Sequence, residues 1–513
     1  MKRMKRILLA WMAGVLTLSL FGCAELTDPD PQSQLGAYKE EEERQVIPAR
    51  HYMSLIFYED MDTNPLTTTN SENHELLKLV YSPLIRLNGS LVAEYILAES
   101  ITVEGTTVTA VLKKDLKFSD GSKITAADVV ASYKTVKKTP TSPYYQRLAN
   151  TANITALDEQ TVVITLKTVD VDFISNLDIP IMPQSGTAAS GPYQFSEKNG
   201  KLVLIPNTNH YVQPGLATIY LQHPANEQER QNMFSVGLLD VYFTSAESDL
   251  VFSGGKDYQV QTYAGDNLLY LGVNCTHPLL SNASVRTFLN SLLEREKLAD
   301  NVLLGQAQET AYPFQAAWYK AEGLIHEKNL SDLTKKEQAA ALGLNLTENA
   351  LLDAAGAQVT FSLLVAEGST VHRDVARAVA DSFALSGIKI NLETVPRADY
   401  NMRLQTGQYE LYLGEVKTGR TLNTALYAAG SAIHYSGGLF PELEAAAAQY
   451  RADALSLTEF AGVFDTYTPV LPLAYRQGVL FVAKDIGNFQ ATGTWSLYGD
   501  ITKLITKETE LTS

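Results

Sequence analysis

Cysteine is nearly absent from this chain, which has two cysteines among 513 residues, Cys23 and Cys275. They allow at most one disulfide, so the fold depends on buried apolar surface.

Basic residues are also scarce relative to acidic ones: 41 Lys and Arg against 57 Asp and Glu give a formal net charge of −16. A general nucleic-acid surface needs clustered Lys and Arg, so this charge balance argues against one.

Long apolar runs are scarce as well. The run from Ile7 to Phe21 follows a basic MKRMKR start and is too short for a membrane-spanning helix, which needs about 20 residues. It has the length of a signal-peptide core. Gly22 before Cys23 is similar to a bacterial lipobox, in which the cysteine is lipidated. We predict a lipoprotein signal peptide over 1–22 and lipidation of Cys23; an uncleaved signal-anchor helix is the alternative.

Lipidation of Cys23 would leave Cys275 without a disulfide partner, as a small buried apolar residue. Residues 23–45 are rich in Pro, Asp, Ser, Gln and Glu, a composition typical of a disordered tether. The folded part is expected to begin near Val46. At 513 residues the chain is too long for one core, so two or three domains are expected.

The patterning of the folded part mixes strands and helices. Alternating apolar residues predict strands at TTVTAVL, QTVVITLKT, IKINLETV and YELYLGEV, and helical spacing predicts a helix at STVHRDVARAVADSFALSG. Between the first two strands, Asp120-Gly121 signals a turn. Thr125 and Asp128 then have the spacing of a helix capping box. The sequence therefore predicts an α/β fold.

Recognisable catalytic motifs are lacking. The patterns G-x-S-x-G, H-E-x-x-H, C-x-x-C, G-x-G-x-x-G and G-x-x-x-x-G-K-[ST] do not occur, and the eight histidines are scattered without metal-ligand spacing. We therefore expect no enzymatic activity, no cofactor and no metal site. A cell-surface hydrolase is the less favoured alternative, because glycosidase carboxylates need not be close in sequence.

An ordered set of segments resembles the bacterial ABC-importer solute-binding proteins of family 5, the oligopeptide, dipeptide and nickel-binding type. In LAESITVEGTTVTAVLKKDLKFSDGSKITAADVVASYK the matching elements are LAES, KKDLKF, DG and TAADVV. Four more segments follow in the family's order. They are TPTSPYYQRL, ASGPYQFSE, a block from NLLYLGVN to LLGQA that includes V-R and E-R, and VARAVADSFALSGIKI. The resemblance spans roughly Ser54 to Thr494.

The resemblance implies a periplasmic-binding-protein-like type II (cluster C) α/β fold, with two hinged lobes and an extra α/β domain on the first lobe. Lobe I is expected over 46–72, 186–265 and 475–513, the extra domain over 73–185 and lobe II over 266–474. The two lobes are expected to be joined by strands that cross between them.

The implied function is capture of a small solute, first of all an oligopeptide, in the interlobe cleft and its delivery to an ABC permease and ATPase complex. The protein would act as a lipid-anchored monomer on the extracytoplasmic face of the cell membrane. A non-peptide solute, such as a glycan fragment, an opine or a nickel chelate, is one alternative. A sensor that works without transport is another.

Candidate ligand contacts are aromatic and charged residues, which can bind the side chains and termini of a peptide. They are Tyr58, Glu59, Tyr144, Tyr145, Arg147, Asn274, Tyr412, Glu415, Lys417 and Arg420. Peptide binders of the family often read G-W-x-x-D-Y-x-[DE]-P near the last of these, with the Asp holding the peptide's α-amino group. Glu415 stands at the Trp position and Thr418 at the Asp position. Either Glu415 replaces this amine anchor, or the ligand has no free amine.

Overall fold

The computed structural model describes residues 46–47, 51–245, 248, 258–315, 332–422, 426, 431, 435, 440–486, 489–491, 493, 495–499, 501–504 and 509–510. The predicted signal peptide, the tether and Cys23 lie outside these residues. Within them, every helix is too short or too polar to cross a bilayer. Residues 47–509 form one compact unit, and the rest of the chain is counted separately. The fold below is that of the compact unit.

The described strands are numbered in chain order. They are β1 Val46–Ile47, β2 Tyr52–Ile56, β3 Ile85–Leu87, β4 Ala93–Tyr95, β5 Ala98–Glu104, β6 Thr107–Leu112, β7 Thr151–Ala156, β8 Thr161–Leu166, β9 Tyr193–Lys198, β10 Lys201–Pro206, β11 Thr218–Gln222, β12 Val241–Thr244, β13 Tyr258–Val273, β14 Ala307–Glu309, β15 Asn345–Leu346, β16 Leu351–Leu352, β17 Thr360–Ala366, β18 Lys389–Val395, β19 Leu411–Lys417, β20 Val470–Ala483 and β21 Thr509–Glu510.

The longer helices alternate with these strands. They are α1 Ser71–Val80, α2 Ala126–Lys138, α3 Glu227–Ser235, α4 Ala283–Ser291, α5 Asp332–Ala341, α6 Thr370–Ala384, α7 Arg397–Thr406, α8 Pro441–Arg451 and α9 Leu457–Tyr467. One further α-helical turn, Arg295–Lys297, continues into a π-helix, Leu298–Val302. Short 3₁₀ segments occur at Tyr145–Leu148, Phe173–Asn176 and Ile501–Lys503.

Three sheets organise the fold. The order β2-β11-β10-β9 defines the first lobe, and the antiparallel order β5-β6-β8-β7 with helix α2 defines the small domain. The third sheet has the order β12-β20-β13-β19-β17-β18, with β14 beside β20. Its strands β17–β19 and the helices packed on them define the second lobe. The residue limits predicted for the lobes and the extra domain remain predictions.

Two long antiparallel strands, β13 and β20, run through more than one core. Tyr263 and Leu480 belong to the first-lobe core, whereas Leu271 and Leu471 belong to the second-lobe core. The register of the pair shifts between Tyr263 and Asn267, between these two parts. The same two strands therefore carry the chain from one lobe to the other.

Tyrosine rings lie across glycines where β13 meets β19. Gly272 is opposite Tyr412 and Gly414 is opposite Tyr270. The two rings form an edge-to-face pair with centroids 5.8 Å apart. A Cβ on Gly272 would come within 1.9 Å of the Tyr412 ring, and one on Gly414 within 2.4 Å of the Tyr270 ring. Glycine is therefore required at both positions, because the rings occupy the space of a side chain.

Local sequence patterns predicted these elements correctly. The four predicted strands are β6, β8, β18 and β19, and the predicted helix is α6. At the start of α2, the Asp128 carboxylate accepts hydrogen bonds from the backbone N–H of Thr125 at 2.8 Å and from its hydroxyl at 2.7 Å.

The prediction for Cys275 needs correction. Its side chain is only partly buried, because it lies in the loop after β13.

Candidate functional site

A cavity of about 350 Å³ lies where the first lobe, the small domain and the second lobe meet. Its walls include α1 and the loop before it, the crossing strand β13, and the end of β19 with the segment that follows it. Its lining residues are Thr68, Thr69, Ser71, His74, Glu75, Lys78, Pro143, Phe243, Ser245, Tyr263, Asp266, Asn267, Lys417, Arg420 and Leu497. A cleft with polar groups converging from several elements is the usual form of a small-molecule site.

Helix α1 supplies one charged wall. Its N-terminus is capped by Asn70, whose side chain accepts a hydrogen bond from the backbone N–H of Asn73 at 2.8 Å. Glu75 and Lys78 form an ion pair one turn apart, and the Lys78 ammonium also donates to the carbonyl of Trp495 at 3.0 Å. The other oxygen of Glu75 accepts from the backbone N–H of Leu497 at 3.0 Å. Burial lowers the pKa of Lys78 despite the neighbouring Glu75 carboxylate.

The second lobe supplies the opposite wall through Lys417 and Arg420. Lys417 is the last residue of β19 and is exposed at the cavity. Arg420 follows Gly419, whose φ of +79° places the backbone in a conformation that glycine adopts easily. Both cations were predicted from sequence as ligand contacts, and the structure places both at the cavity.

The Asp178 carboxylate joins the small domain to the second lobe. It forms ion pairs with Arg147 and with Arg420. Burial alone would raise the pKa of Asp178, but the two guanidinium groups together with the Lys78 ammonium outweigh burial and lower it. Arg147 was also predicted to contact ligand. It does not line the cavity but lies behind Arg420, on the same carboxylate.

His74 and Tyr144 form the floor beside this junction. Their rings stack with centroids 5.2 Å apart, and the Arg147 guanidinium lies 4.5 Å from the centre of the Tyr144 ring. Burial lowers the pKa of His74 far below its usual value, and the nearby Lys78 adds to this effect. The imidazole is therefore neutral. Tyr144 is fully buried and is not among the cavity-lining residues, so its ligand contact stays a prediction, and in this structure its ring supports the cavity from behind.

Glu415 is held by other protein groups. Its carboxylate lies 2.7 Å from Nε2 of His372, accepts from the Asn267 side chain at 2.9 Å and is 3.4 Å from the Arg476 guanidinium. Burial would raise the pKa of Glu415, but these partners outweigh burial and lower it. The carboxylate therefore stays charged, and it connects α6, β13, β19 and β20 beneath the cavity.

The remaining candidates do not line the cavity. Tyr412 is buried in a second apolar cluster of that lobe, and its ligand contact stays a prediction. The Asn274 side chain donates to the carbonyl of Tyr409 at 2.8 Å, in the loop after β13. Tyr58 packs edge-to-face on His223. Glu59 is exposed. Tyr145 begins the 3₁₀ segment Tyr145–Leu148.

Sequence reasoning missed the polar residues of α1 at the cavity, which are His74, Glu75 and Lys78. A weak signal was present. In SENHELLKLV the polar residues come directly before an apolar stretch that only Lys78 interrupts, and the structure buries Glu72, Asn73 and Glu75 together with the leucines. Charged residues on a helix usually mark a solvated face, however. In the described part of the chain, no group of three or more His, Cys, Asp or Glu is arranged to hold a metal ion.

Comparison with known proteins identifies relatives among transport proteins. The chain is 23% identical over 365 residues to the oligopeptide-binding protein AppA of Bacillus subtilis, covering 65% of this chain and 66% of AppA. It is 26% identical over 266 residues to the glutathione-binding protein GsiB of Escherichia coli K12, covering 48% and 52%. The matches thus span less than two thirds of each of these relatives.

Solved structures agree in fold. The nickel ABC transporter structure from Bacillus halodurans superposes with a TM-score of 0.70 at 17% identity, over 89% of this chain and all of that chain. The open, unliganded murein tripeptide binding protein MppA superposes with a TM-score of 0.71 at 16% identity, over 89% and 96%. The predicted two-lobed fold with an extra domain is confirmed.

The family model for bacterial extracellular solute-binding proteins, family 5 Middle, matches residues 93–427. The match takes in α2, the crossing strand β13 and both second-lobe cations of the cavity. It covers more than half of the chain, which therefore belongs to the family 5 extracellular solute-binding proteins of bacteria.

Proposed function

We propose that this protein is the extracytoplasmic solute-binding component of an ABC importer, and that it captures a short peptide and delivers it to a membrane permease. The observation that carries the proposal is the cavity of about 350 Å³, with charged groups on walls that belong to both lobes. A solute enclosed there touches both lobes at once, so its binding favours the closed arrangement.

The size and charge of the cavity indicate the class of solute. Its volume is at the small end of the range of about 300–1,000 Å³ for small-molecule sites, which favours a di- or tripeptide over a longer chain. Among the described residues, three cations line it, Lys78, Lys417 and Arg420, against two carboxylates, Glu75 and Asp266. The excess of positive charge favours a solute with a carboxylate, such as a peptide C-terminus.

A solute without a free amine is the second candidate. Thr418, at the position of the family's amine-binding Asp, is buried and donates to the carbonyl of Asp266. Glu415 is already paired with His372 and Arg476. Neither side chain is therefore placed to take over the amine anchor, which favours acidic glycan fragments, opines or chelates as the other solute classes.

A thermal-shift panel tests the proposal. The full protein is heated with di- to hexapeptides, acidic glycan fragments, opines and nickel chelates, because a solute that binds only the folded state raises Tm by mass action. We expect the largest increase with di- and tripeptides. An increase confined to a non-peptide class would contradict the peptide assignment and support the second candidate. No increase with any class would contradict solute capture.

Replacing Lys417 by Gln is expected to weaken binding of the best peptide about tenfold, because one charge-assisted contact to a carboxylate is lost. Isothermal titration measures the change. Lys389→Gln is the matched control, since Lys389 is an exposed lysine of β18 away from the cavity. Equal affinities for the two variants would remove Lys417 from the site. A C-terminally amidated peptide should bind both variants equally.

The membrane position is part of the same proposal. We expect Cys23→Ser to release the protein from the membrane fraction into the soluble fraction, because the lipid-accepting thiol is lost. Cell fractionation followed by immunoblotting measures the distribution, with Cys275→Ser as the control. Full retention of the Cys23→Ser variant in membranes would contradict lipidation and favour the uncleaved signal-anchor helix.

A further inference from the structure

Three carboxylates of the small domain face the second lobe outside the cavity wall. They lie between β8 and β9, over residues 170–178, at Asp170, Asp172 and Asp178; Asp170 and Asp178 are buried, and Asp172 is partly buried. Each is in contact with the second lobe, either with α8 or with the segment after β19. We call residues 170–178 the carboxylate segment.

Asp170 and the backbone beside it contact the end of α8. The Asp170 carboxylate forms an ion pair with Arg451, whose Nε donates at 3.3 Å. The backbone N–H of Val171 donates to the carbonyl of Arg451 at 3.0 Å. The small domain and the second lobe are therefore joined here by both a charge pair and a main-chain hydrogen bond.

Asp172 contacts the same lobe, but unlike Asp170 it has, among the described residues, no ion pair of its own to compensate its negative charge. One oxygen accepts from the Tyr450 hydroxyl at 3.3 Å and the other from the backbone N–H of Leu422 at 3.3 Å. The charged groups that influence it are Asp170, which repels its charge, and Arg451, which attracts it but forms its ion pair with Asp170. The carboxylate thus loses water to the second lobe without a full counter-charge.

The third carboxylate connects the segment to the cavity. Asp178 pairs with Arg420, which lines the cavity. When the second lobe closes on the small domain, the contacts of Asp170 and Asp172 therefore form together with the placement of Arg420 at the cavity wall.

We propose that the carboxylate segment is a proton-sensitive latch: the second lobe closes on it more readily when Asp172 is protonated. The inference rests on the proposed function only in that closing of the lobes encloses the solute. Closing buries Asp172 against Tyr450 and Leu422, and parting of the lobes returns it to water.

The direction of the pH effect follows from this burial. In the closed arrangement burial raises the pKa of Asp172 to about 6, Asp170 adds to this, and the hydrogen bonds and Arg451 partly offset it. In the open arrangement an exposed Asp has a pKa of about 3.9. A group whose pKa is raised on closing stabilises the closed arrangement. This stabilisation is complete when the pH is below the open-state pKa, and it disappears as the pH rises through 6. Between pH 7 and pH 5 the closing equilibrium constant should rise about tenfold.

Two other groups near the latch do not produce this effect. Asp178 has a lowered pKa and stays charged over this range. His74 acts in the opposite direction: burial lowers its pKa, and the Lys78, Arg147 and Arg420 cations add to this, so its protonation disfavours closing of the second lobe, which carries Arg420. The difference between the wild-type chain and an Asp172 variant therefore isolates the latch.

Distance measurements on the solute-free chain test the latch. Spin labels on Leu157→Cys in the small domain and Leu385→Cys in the second lobe use exposed positions, with Cys23 and Cys275 replaced by Ser. Pulsed electron resonance gives the closed fraction at pH 5 and pH 7. Relative to Asp172→Asn, we expect the closed-to-open ratio of the parent to rise about tenfold from pH 7 to pH 5. The closed fraction of Asp172→Asn should be high at pH 7 and should not rise at pH 5.

Two further variants separate the latch from a general effect. Asp453→Asn, two residues beyond Arg451 and exposed, should keep the pH response of the parent. Arg451→Gln should lower the closed fraction at both pH values, since its ion pair with Asp170 is lost. A distance distribution that is the same at pH 5 and pH 7 in the parent would overturn the proposal. So would a full pH response in Asp172→Asn. Because no solute is used, a failed solute panel would not affect this result.

Discussion

Replacing Asp178 by Asn is expected to lower the free energy of unfolding by about 3–5 kcal/mol, the usual cost of removing one partner from a buried ion pair. Asn has nearly the same volume and can still accept a hydrogen bond, so the change removes mainly charge. Arg147 and Arg420, which both pair with Asp178, would then face each other without the carboxylate between them. Urea-induced unfolding followed by tryptophan fluorescence measures the change.

Glu104→Gln is the matched control for this variant. Glu104 is an exposed carboxylate at the end of β5, and removal of a surface charge usually changes stability by less than about 0.5 kcal/mol. If Asp178→Asn were no less stable than Glu104→Gln, the carboxylate would not hold the two guanidinium groups together in solution. The double variant Asp178→Asn with Arg420→Gln should recover part of the loss, because it removes one of the unpaired charges.

Replacing Arg286 by Met is expected to lower the free energy of unfolding by at least about 3 kcal/mol. Each buried carbonyl that loses its donor costs about 1–3 kcal/mol, and Arg286 serves four carbonyls, two of them through fully buried hydrogen bonds. Its guanidinium donates to the carbonyls of Leu280, Ser281, Tyr467 and Thr468, and its side chain is almost fully buried. Met is similar in length but has no donor. Urea unfolding again gives the measurement.

Arg377→Met is the control, since Arg377 is an arginine of α6 whose side chain is 64% exposed. Its loss should change stability little. A small effect of Arg286→Met, comparable to that of the control, would mean that water replaces the guanidinium at these carbonyls. Arg286→Lys should be intermediate, because an ammonium has three donors and no planar fork.

The physical role of Arg286 explains part of the family resemblance. Arg286 and Arg295 are the arginines of the V-R and E-R elements in the block from NLLYLGVN to LLGQA. Arg295 donates to the carbonyl of Pro472 at 2.8 Å. Together they attach helix α4 and the turn after it to the start of β20. These motif residues support the crossing strands rather than the ligand cavity.

The sequence predicted the two second-lobe cations of the candidate site, Lys417 and Arg420, but not their surroundings. It equally predicted Tyr144 and Tyr412, whose rings are in the core. A tyrosine in a polar stretch carries the same signal whether its ring faces a cleft or a core. Conversely, no sequence pattern singled out the polar residues of α1. They line the cavity only because the backbone around Trp495 and Leu497 returns to them from the far end of the chain.

The sequence by itself determined what depends on near neighbours. The strands from alternating apolar residues and the cap of α2 at Thr125 and Asp128 follow from residues a few positions apart. Only the tertiary structure decided which distant polar groups meet. Asp178 with Arg420, Asp172 with Leu422, and Glu415 with Arg476 are separated by 242, 250 and 61 positions. Pairing over such separations depends on how the crossing strands bring the lobes together, which no local pattern encodes.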